Sequence, residues 1–250
     1  MSPLVSIITP TFNSASYIAE TIQSVQNQSY TNWEMIIVDD CSTDATLEII
    51  KKIQETEPRI QLHTLQKNSG SGIARNTGIK QAKGKYLTFL DADDLWMQNS
   101  LEVRINFIKN NKKPFVYSSY KNFDEINNVY KKDFIAPSKV NYSDVLKSNS
   151  IGCLTVMIDI ETLGKKYMPS IRKRQDMGLW VQYLKEIPYA YGIQEPLATY
   201  RIRQNSLSRK KTDLIKFQWE FYRNVEGLSV VKSTYYLLNW MIRGYLKYRN

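Results

Sequence analysis

At 250 residues, with 42% hydrophobic and 12% aromatic side chains, the chain can bury a substantial core and is too apolar for a disordered segment. Its net charge of +10 is uneven: residues 1–96 carry 8 basic against 11 acidic side chains, net −3, whereas residues 97–250 carry 26 against 13, net +13. The positives are dispersed apart from Arg172-Lys-Arg174 and Arg209-Lys-Lys211, and no helix-turn-helix, zinc-finger or RNP-type pattern accompanies them, so no nucleic-acid partner is expected.

In chain order the first part alternates. Val5–Thr9 predicts a strand, 15–28 an amphipathic helix, 34–38 a strand, and 43–55 a helix capped by Ser42. Then come a strand over 60–65, a helix over 73–82 and a strand over 86–90, with a further helix expected to start near Asp94. Strands alternating with helices at this spacing imply right-handed crossovers and a mostly parallel sheet covered on both faces, with ligands gathering at the carboxyl ends of the strands.

That is where the unusual residues fall: Thr9-Pro10-Thr11-Phe-Asn13, Asp39-Asp40-Cys-Ser-Thr-Asp44, Asn68-Ser-Gly-Ser-Gly72 and Asp91-Ala-Asp93-Asp94. Each has a bland alternative. Pro10 can end a strand, Asn13 or Ser14 can cap a helix, and Asp39-Asp40 can complement a helix N-terminus. Gly70-Ser-Gly72-Ile-Ala-Arg75 imitates a dinucleotide fingerprint, but Arg75 stands at the third glycine position and the segment follows the third strand, which makes it a poor nicotinamide site. Three carboxylates within four residues at a strand end repel one another unless they hold a cation. All-oxygen ligands suit Mg²⁺ or Mn²⁺, and an ion held by few protein groups commonly meets a substrate's phosphates.

The series Val-Ser-Ile-Ile-Thr-Pro-Thr-Phe-Asn, Ile-Ile-Val-Asp-Asp-Cys-Ser-Thr-Asp, Asn-Ser-Gly-Ser-Gly-Ile-Ala-Arg-Asn-Thr-Gly and Phe-Leu-Asp-Ala-Asp-Asp resembles the family 2 glycosyltransferases of the GT-A fold, which build bacterial surface polysaccharides. The likeness covers about residues 4–110, and Arg174-Gln175-Asp176-Met-Gly-Leu-Trp180 and Tyr200-Arg-Ile-Arg203-Gln-Asn-Ser206-Leu-Ser208 resemble the family's Glu-Asp motif and closing loop. The resemblance implies an α/β GT-A domain over 1–210, with nucleotide-sugar binding over about 1–96, an acceptor side over about 97–210, and a helical extension over 211–250. It further implies Thr9, Pro10, Thr11, Asn13 and Asp39 at the nucleotide, Arg75 facing it, Asp91 by the ribose or the metal, and Asp93 on a Mn²⁺ or Mg²⁺ ion. Asp176 would be the catalytic base, and Arg201, Arg203, Ser206 and Ser208 the closing loop. Gln175 departs from the pattern, where an acid is commoner, leaving one carboxylate in that motif.

Displacing a nucleoside diphosphate from an anomeric carbon needs the leaving charge neutralised and the acceptor hydroxyl deprotonated. One carboxylate at Asp176 suits a single, inverting displacement; the bland alternative is a pairing with Arg172 or Arg174. The sole histidine, His63, lies mid-strand and is expected to be structural. The expected activity is therefore transfer from a nucleotide sugar, a UDP-sugar in the first instance, to a hydroxyl of a glycan or lipid-linked acceptor. A sugar nucleotidyltransferase and a non-catalytic nucleotide- or sugar-binding module are the alternatives; no basic Gly-rich loop follows the first strand, and the second needs neither Asp93 nor Asp176.

Further on, 114–120 predicts a strand, 123–134 a polar edge, and 142–158 a segment approaching the acceptor. Cys41 and Cys153 form no Cys-x-x-Cys pair, which fits a reducing compartment, and the N-terminus lacks a signal-peptide pattern, so a cytoplasmic location is expected. The tail places Val231, Tyr235, Leu238, Ile242 and Tyr245 on one helical face with Lys232, Arg243, Lys247 and Arg249 around it. Too interrupted to span a bilayer, that face can pack on its own domain, bind a partner or lie on the inner membrane face.

Overall fold

A computed structural model describes residues 2–203 and 211–249. The first half alternates as β1 (Val5–Thr11), α1 (Ile18–Gln26), β2 (Trp33–Asp39), α2 (Thr46–Gln54), β3 (Ile60–Thr64), α3 (Ser71–Gln81) and β4 (Tyr86–Phe89). β1 pairs in parallel with β2 and β4, and β2 with β3. β1 and β2 are buried along their whole lengths, as near-continuous apolar runs require when both sheet faces are covered. Because strand side chains alternate, Ile7 and Ile37 pack with Ile18, Ile22 and Val25 of α1 on one face, and Ile8 and Val38 with Ala74 and Ile79 of α3 on the other.

Three helix starts differ from expectation by three residues or more. α1 begins at Ile18 because the Ser14 carbonyl accepts from both Tyr17 and Ile18 N–H and turns the chain first. α2 begins at Thr46, and Ser42 does not cap it; the Ser42 hydroxyl is taken by Asp39, while Asp44 accepts from Thr46 N–H at 3.0 Å. No helix starts at Asp94, whose buried carboxylate accepts from the Arg201 N–H at 2.9 Å and leads into a short strand.

The second half runs β5 (Leu95–Trp96), α4 (Ser100–Asn111), β6 (Phe115–Asp124), β7 (Val129–Phe134), β8 (Lys139–Val140), α5 (Tyr142–Lys147), a 3₁₀ turn (Cys153–Thr155), β9 (Met157–Asp159), α6 (Ile160–Leu163), α7 (Gln175–Leu184), β10 (Ala190–Ile202), α8 (Lys211–Glu220), a π turn (Phe221–Val225) and α9 (Val230–Arg249). Among the described residues, all strands join one ten-stranded sheet in the order β3-β2-β1-β4-β9-β6-β10-β5, with β7 on β6 and β8 on β10. β9 runs antiparallel to both β4 and β6 and so joins the two halves. The expected strand over 114–120 and polar edge over 123–134 become one hairpin, β6–β7.

Trp180 of α7 is fully buried and packs edge-on to Phe89 of β4 at 5.8 Å and tilted on Phe115 of β6 at 5.7 Å. Residues four apart share a helix face, so anchoring Trp180 also fixes Asp176 one turn earlier on the sheet-facing side. α9 lies against α5, α8 and the π turn, burying Ser233 and half-burying Tyr236 and Leu237. Among the described residues, no helix is long and apolar enough to cross a membrane.

Candidate active site

The carboxyl ends of β1 and β2 meet through one serine. Ser42 donates from its backbone N–H to Asp39 Oδ2 at 2.9 Å and from Oγ to Asp39 Oδ1 at 2.5 Å, while its Oγ accepts from Asn13 N–H at 2.9 Å. Asn13, in the left-handed region at φ 47°, returns the contact by accepting from Thr43 N–H at 2.7 Å. β1 does not stop at Pro10 but carries it in register with Val38. The strand tolerates it because Pro10 faces the β4 side, where pairing has already ended at Ile8–Phe89. Thr9 and Thr11 are buried, and their hydroxyls have no protein hydrogen-bond partner, so both can serve a ligand. Asp40 accepts from the N–H groups of Ser69 at 2.6 Å and Gly70 at 2.7 Å and thereby fixes the loop that opens α3.

Arg75 on α3 is 7% exposed and pairs with Asp91 at 2.5 Å. Burial alone would lower its pKa, but Asp91 above all, with Cys153 and Asp176, raises it beyond the ordinary value. One guanidinium thus feels both the strand-end acids and Asp176. Cys153 stands in the same place: burial drives its thiol well up, Arg75 pulls it down, and Asp91, Asp176 and Asp94 add to the rise.

Asp93 is bound to Arg203 at 2.6 Å, and its backbone carbonyl accepts from Arg201 Nε at 2.9 Å. Burial, and after it Asp91, raises the Asp93 carboxyl against the pull of Arg203 and Arg201. Asp94, fully buried beside both acids, is raised well above the carboxylate range by burial and then by Asp93 and Asp91. Arg201 reaches Glu20 at 2.7 Å, and the two guanidiniums lie over the Tyr17 ring at 5.1 and 4.9 Å. Ser206 and Ser208 lie outside the described residues.

Asp176 occupies the first turn of α7 and accepts from Asn149 Nδ2 at 3.3 Å, which brings the 142–158 segment to this acid. Gln175 packs on the start of α3: a Cβ added at Gly72 would come within 2.9 Å of its side-chain amide. Thus α3, α7, the β4 end and the 3₁₀ turn converge. Within the expected 142–158 segment the sequence does not single out Asn149 and Cys153, and it does not mark Tyr17, because none of the three belongs to a motif of its own. His63 lies in β3 in register with Val38, one residue before Asp39.

Among the described residues, no three His, Cys, Asp or Glu side chains form a ready metal cage. A hard divalent ion on a diphosphate needs only one or two protein oxygens, and the partly exposed, crowded Asp93 carboxylate, which now uses Arg203 as its counter-ion, fits that demand.

The sequence profile described as Glycosyl transferase family 2 matches residues 6–159. The chain belongs to this glycosyltransferase family. Full-length relatives agree: the glycosyltransferase is 43% identical to the putative teichuronic acid biosynthesis glycosyltransferase TuaG of Bacillus subtilis, over 93% of this chain and 92% of that one. It is 36% identical to the Escherichia coli UDP-Glc:alpha-D-GlcNAc-diphosphoundecaprenol beta-1,3-glucosyltransferase WfgD, over 98% and 95%. The glycosyltransferase also superimposes on S. aureus TarS 1–349 in complex with UDP-GlcNAc with TM-score 0.72 at 20% identity, over 95% of this chain and 71% of that one. The mannosyltransferase PcManGT of Pyrobaculum calidifontis, solved with GDP-Man and Mn²⁺, gives TM-score 0.72 at 18% identity, over 95% and 70%. The fold is therefore GT-A, and the sugar nucleotidyltransferase reading falls. The profile match ends at residue 159, before Asp176 and β10, so these belong to the part the full-length relatives share.

Proposed function

We propose that this glycosyltransferase moves a sugar from a UDP-sugar to a hydroxyl of a lipid-linked or glycan acceptor in surface polysaccharide synthesis, by one inverting displacement. The observation that carries this reading is that the strand-end acids, paired with Arg75 of α3 at 2.5 Å, and the Gln175-Asp176 start of α7, packed on α3 at Gly72, meet from opposite halves of the chain. A donor's charged diphosphate and an acceptor's hydroxyl must be brought together in the same way. The names of TuaG and WfgD support surface polysaccharide and a lipid-linked acceptor, and WfgD and TarS support a UDP-sugar.

In this reading Thr9, Pro10, Thr11, Asn13 and Asp39 line the base and ribose end, with the unpartnered Thr9 and Thr11 hydroxyls available for hydrogen bonds. Arg75 faces the nucleotide, Asp91 lies by the ribose or the metal, and Asp93 would hold a Mn²⁺ or Mg²⁺ ion. The ion, when bound, neutralises charge on the leaving diphosphate. Arg203, released from Asp93, and Arg201 are placed to meet the same negative charge. Asp176, oriented by Asn149, takes the proton of the attacking hydroxyl as the new bond forms. Residues 1–210 form the catalytic unit in this scheme and 211–250 its helical extension.

Calorimetric titration of UDP with and without Mn²⁺ tests the donor end. UDP should bind more tightly with Mn²⁺, and Asp93→Ala should remove that gain while the circular dichroism spectrum stays unchanged. Equal affinity under both conditions in the unsubstituted protein overturns the metal assignment. No hydrolysis or transfer from any UDP-sugar in a nucleotide-sugar screen overturns the donor.

A further inference from the structure

We infer that α9 is a docking surface for an anionic bilayer. A helix covering its own domain turns its apolar face inward, but here that face points out. Val230, Val231, Tyr235, Leu238, Met241 and Ile242 are 57, 80, 52, 53, 44 and 59% exposed. At 100° per residue they form one stripe, interrupted by exposed Thr234, while the opposite side, with buried Ser233 and half-buried Tyr236, Leu237 and Trp240, faces the domain. Exposed apolar surface of this kind is uncommon on a free monomer and marks an interaction site.

Charge selects the occupant. The helix holds four basic residues, Lys232, Arg243, Lys247 and Arg249, and no acid. Lys232 and Arg243 are exposed along one border of the stripe, and Lys147 of α5 lies over the Tyr235 ring at 5.9 Å. An isologous contact with a second copy would press these like charges together. A layer with an apolar interior beneath anionic headgroups satisfies both features at once, with Tyr235 placed to hold the boundary. The inner side of α9 also touches the site, since Trp240 lies under the Arg174 guanidinium at 5.2 Å, two residues before Asp176. The inference does not depend on the donor, metal or base assignments.

Sedimentation with vesicles of phosphatidylglycerol and phosphatidylcholine in equal parts tests it on the full chain, at low and high salt. The exposed double variant Leu238→Asp/Ile242→Asp leaves the core untouched; its thermal midpoint and UDP affinity serve as checks on folding. The unsubstituted chain should sediment at low salt and be released by high salt, and the variant's partitioning should fall at least about tenfold. Lys232→Gln/Arg243→Gln should weaken partitioning by about fivefold per charge at low salt. Binding equal on pure phosphatidylcholine, equal sedimentation of the Asp variant, or a chain that stays in the supernatant each overturn the proposal. So does a dimer in sedimentation velocity that the Asp variant disperses, which would assign the stripe to a second copy.

Discussion

Asp176 and Asp94 face different electrostatic demands within one site. Asp176 makes its contact with a neutral amide, Asn149, and is held by the Trp180 anchor one turn away. Asp176→Asn keeps the volume and removes the proton acceptor, so transfer should fall by about two to four powers of ten while UDP affinity is nearly unchanged. Loss of UDP binding instead would move Asp176 to the nucleotide, and retained transfer would exclude it as the base. Asp94 is buried beside two other acids, and its raised folded pKa means the native state holds the proton more tightly than the unfolded chain does. Its contribution to stability is then complete below the ordinary carboxylate range, near about pH 4, and is lost as pH rises through the raised value. Asp94→Asn retains an acceptor for the Arg201 N–H and removes the charge. In metal-free buffer it should melt above the unsubstituted protein at pH 7, with the difference shrinking toward pH 4; an unchanged or lower midpoint at pH 7 would contradict the burial argument.

Helices α3 and α9 show how one residue type does opposite things in two elements. Gly78 lets α3 press on β1, for an added Cβ would come within 2.6 Å of Ile8 Cγ2 and 3.3 Å of Ile8 Cδ1. Gly78→Ala should destabilise by about 1–3 kcal/mol through overpacking. A Cβ added at Gly244 in α9 would meet nothing beyond its own helix backbone within 4 Å, so Gly244→Ala should stabilise by roughly 0.5–1 kcal/mol through helix propensity alone. Urea titrations of the two variants compare them directly, and equal signs would sink the packing account. The elements legible in the sequence are those whose hydrophobic pattern is local: β1 and β2 are apolar runs, and α1 places Ile18, Ile22 and Val25 on one face. Elements whose partners lie far away were not. β9 is three residues long and exists because β4 and β6 pair with it. β10 is a thirteen-residue strand that begins well before the Tyr200–Ser208 loop motif; Pro196 lies within it at an irregularity in its pairing with β6. In the site, the strand-end acids were legible because their clustering is itself a sequence signal. Ser42 looked like a helix cap because its preference for Asp39 depends on how two loops meet.

At the scale of the molecule, the two halves are joined by β9 and by one buried cation. Arg104 of α4 is fully buried; it donates to Ser100 O at 3.0 Å, Ser100 Oγ at 3.0 Å, Thr88 Oγ1 of β4 at 2.9 Å and the Val156 carbonyl before β9 at 3.1 Å, and it lies 4.5 Å from the Trp96 ring of β5. Burial pushes its pKa down to about 9, so its hydrogen bonds to neutral acceptors must carry the cost of keeping the charge. One side chain therefore ties α4, β4, β5 and the approach to β9 together, where the acidic first part meets the basic second. Unfolding either half would open the β4–β9 edge and strand this cation. The whole chain should therefore lose structure in one cooperative transition, although its length would permit two. Far-UV circular dichroism and tryptophan fluorescence should give the same urea midpoint, since Trp33 sits in β2 and Trp180 in α7. Arg104→Ala removes the bonds and the bulk and should lower stability by on the order of 3 kcal/mol, moving both probes together. Two separated transitions in the unsubstituted protein, or a variant in which only one probe shifts, would show that the halves fold independently and that the sheet's continuity through β9 is no cooperative link.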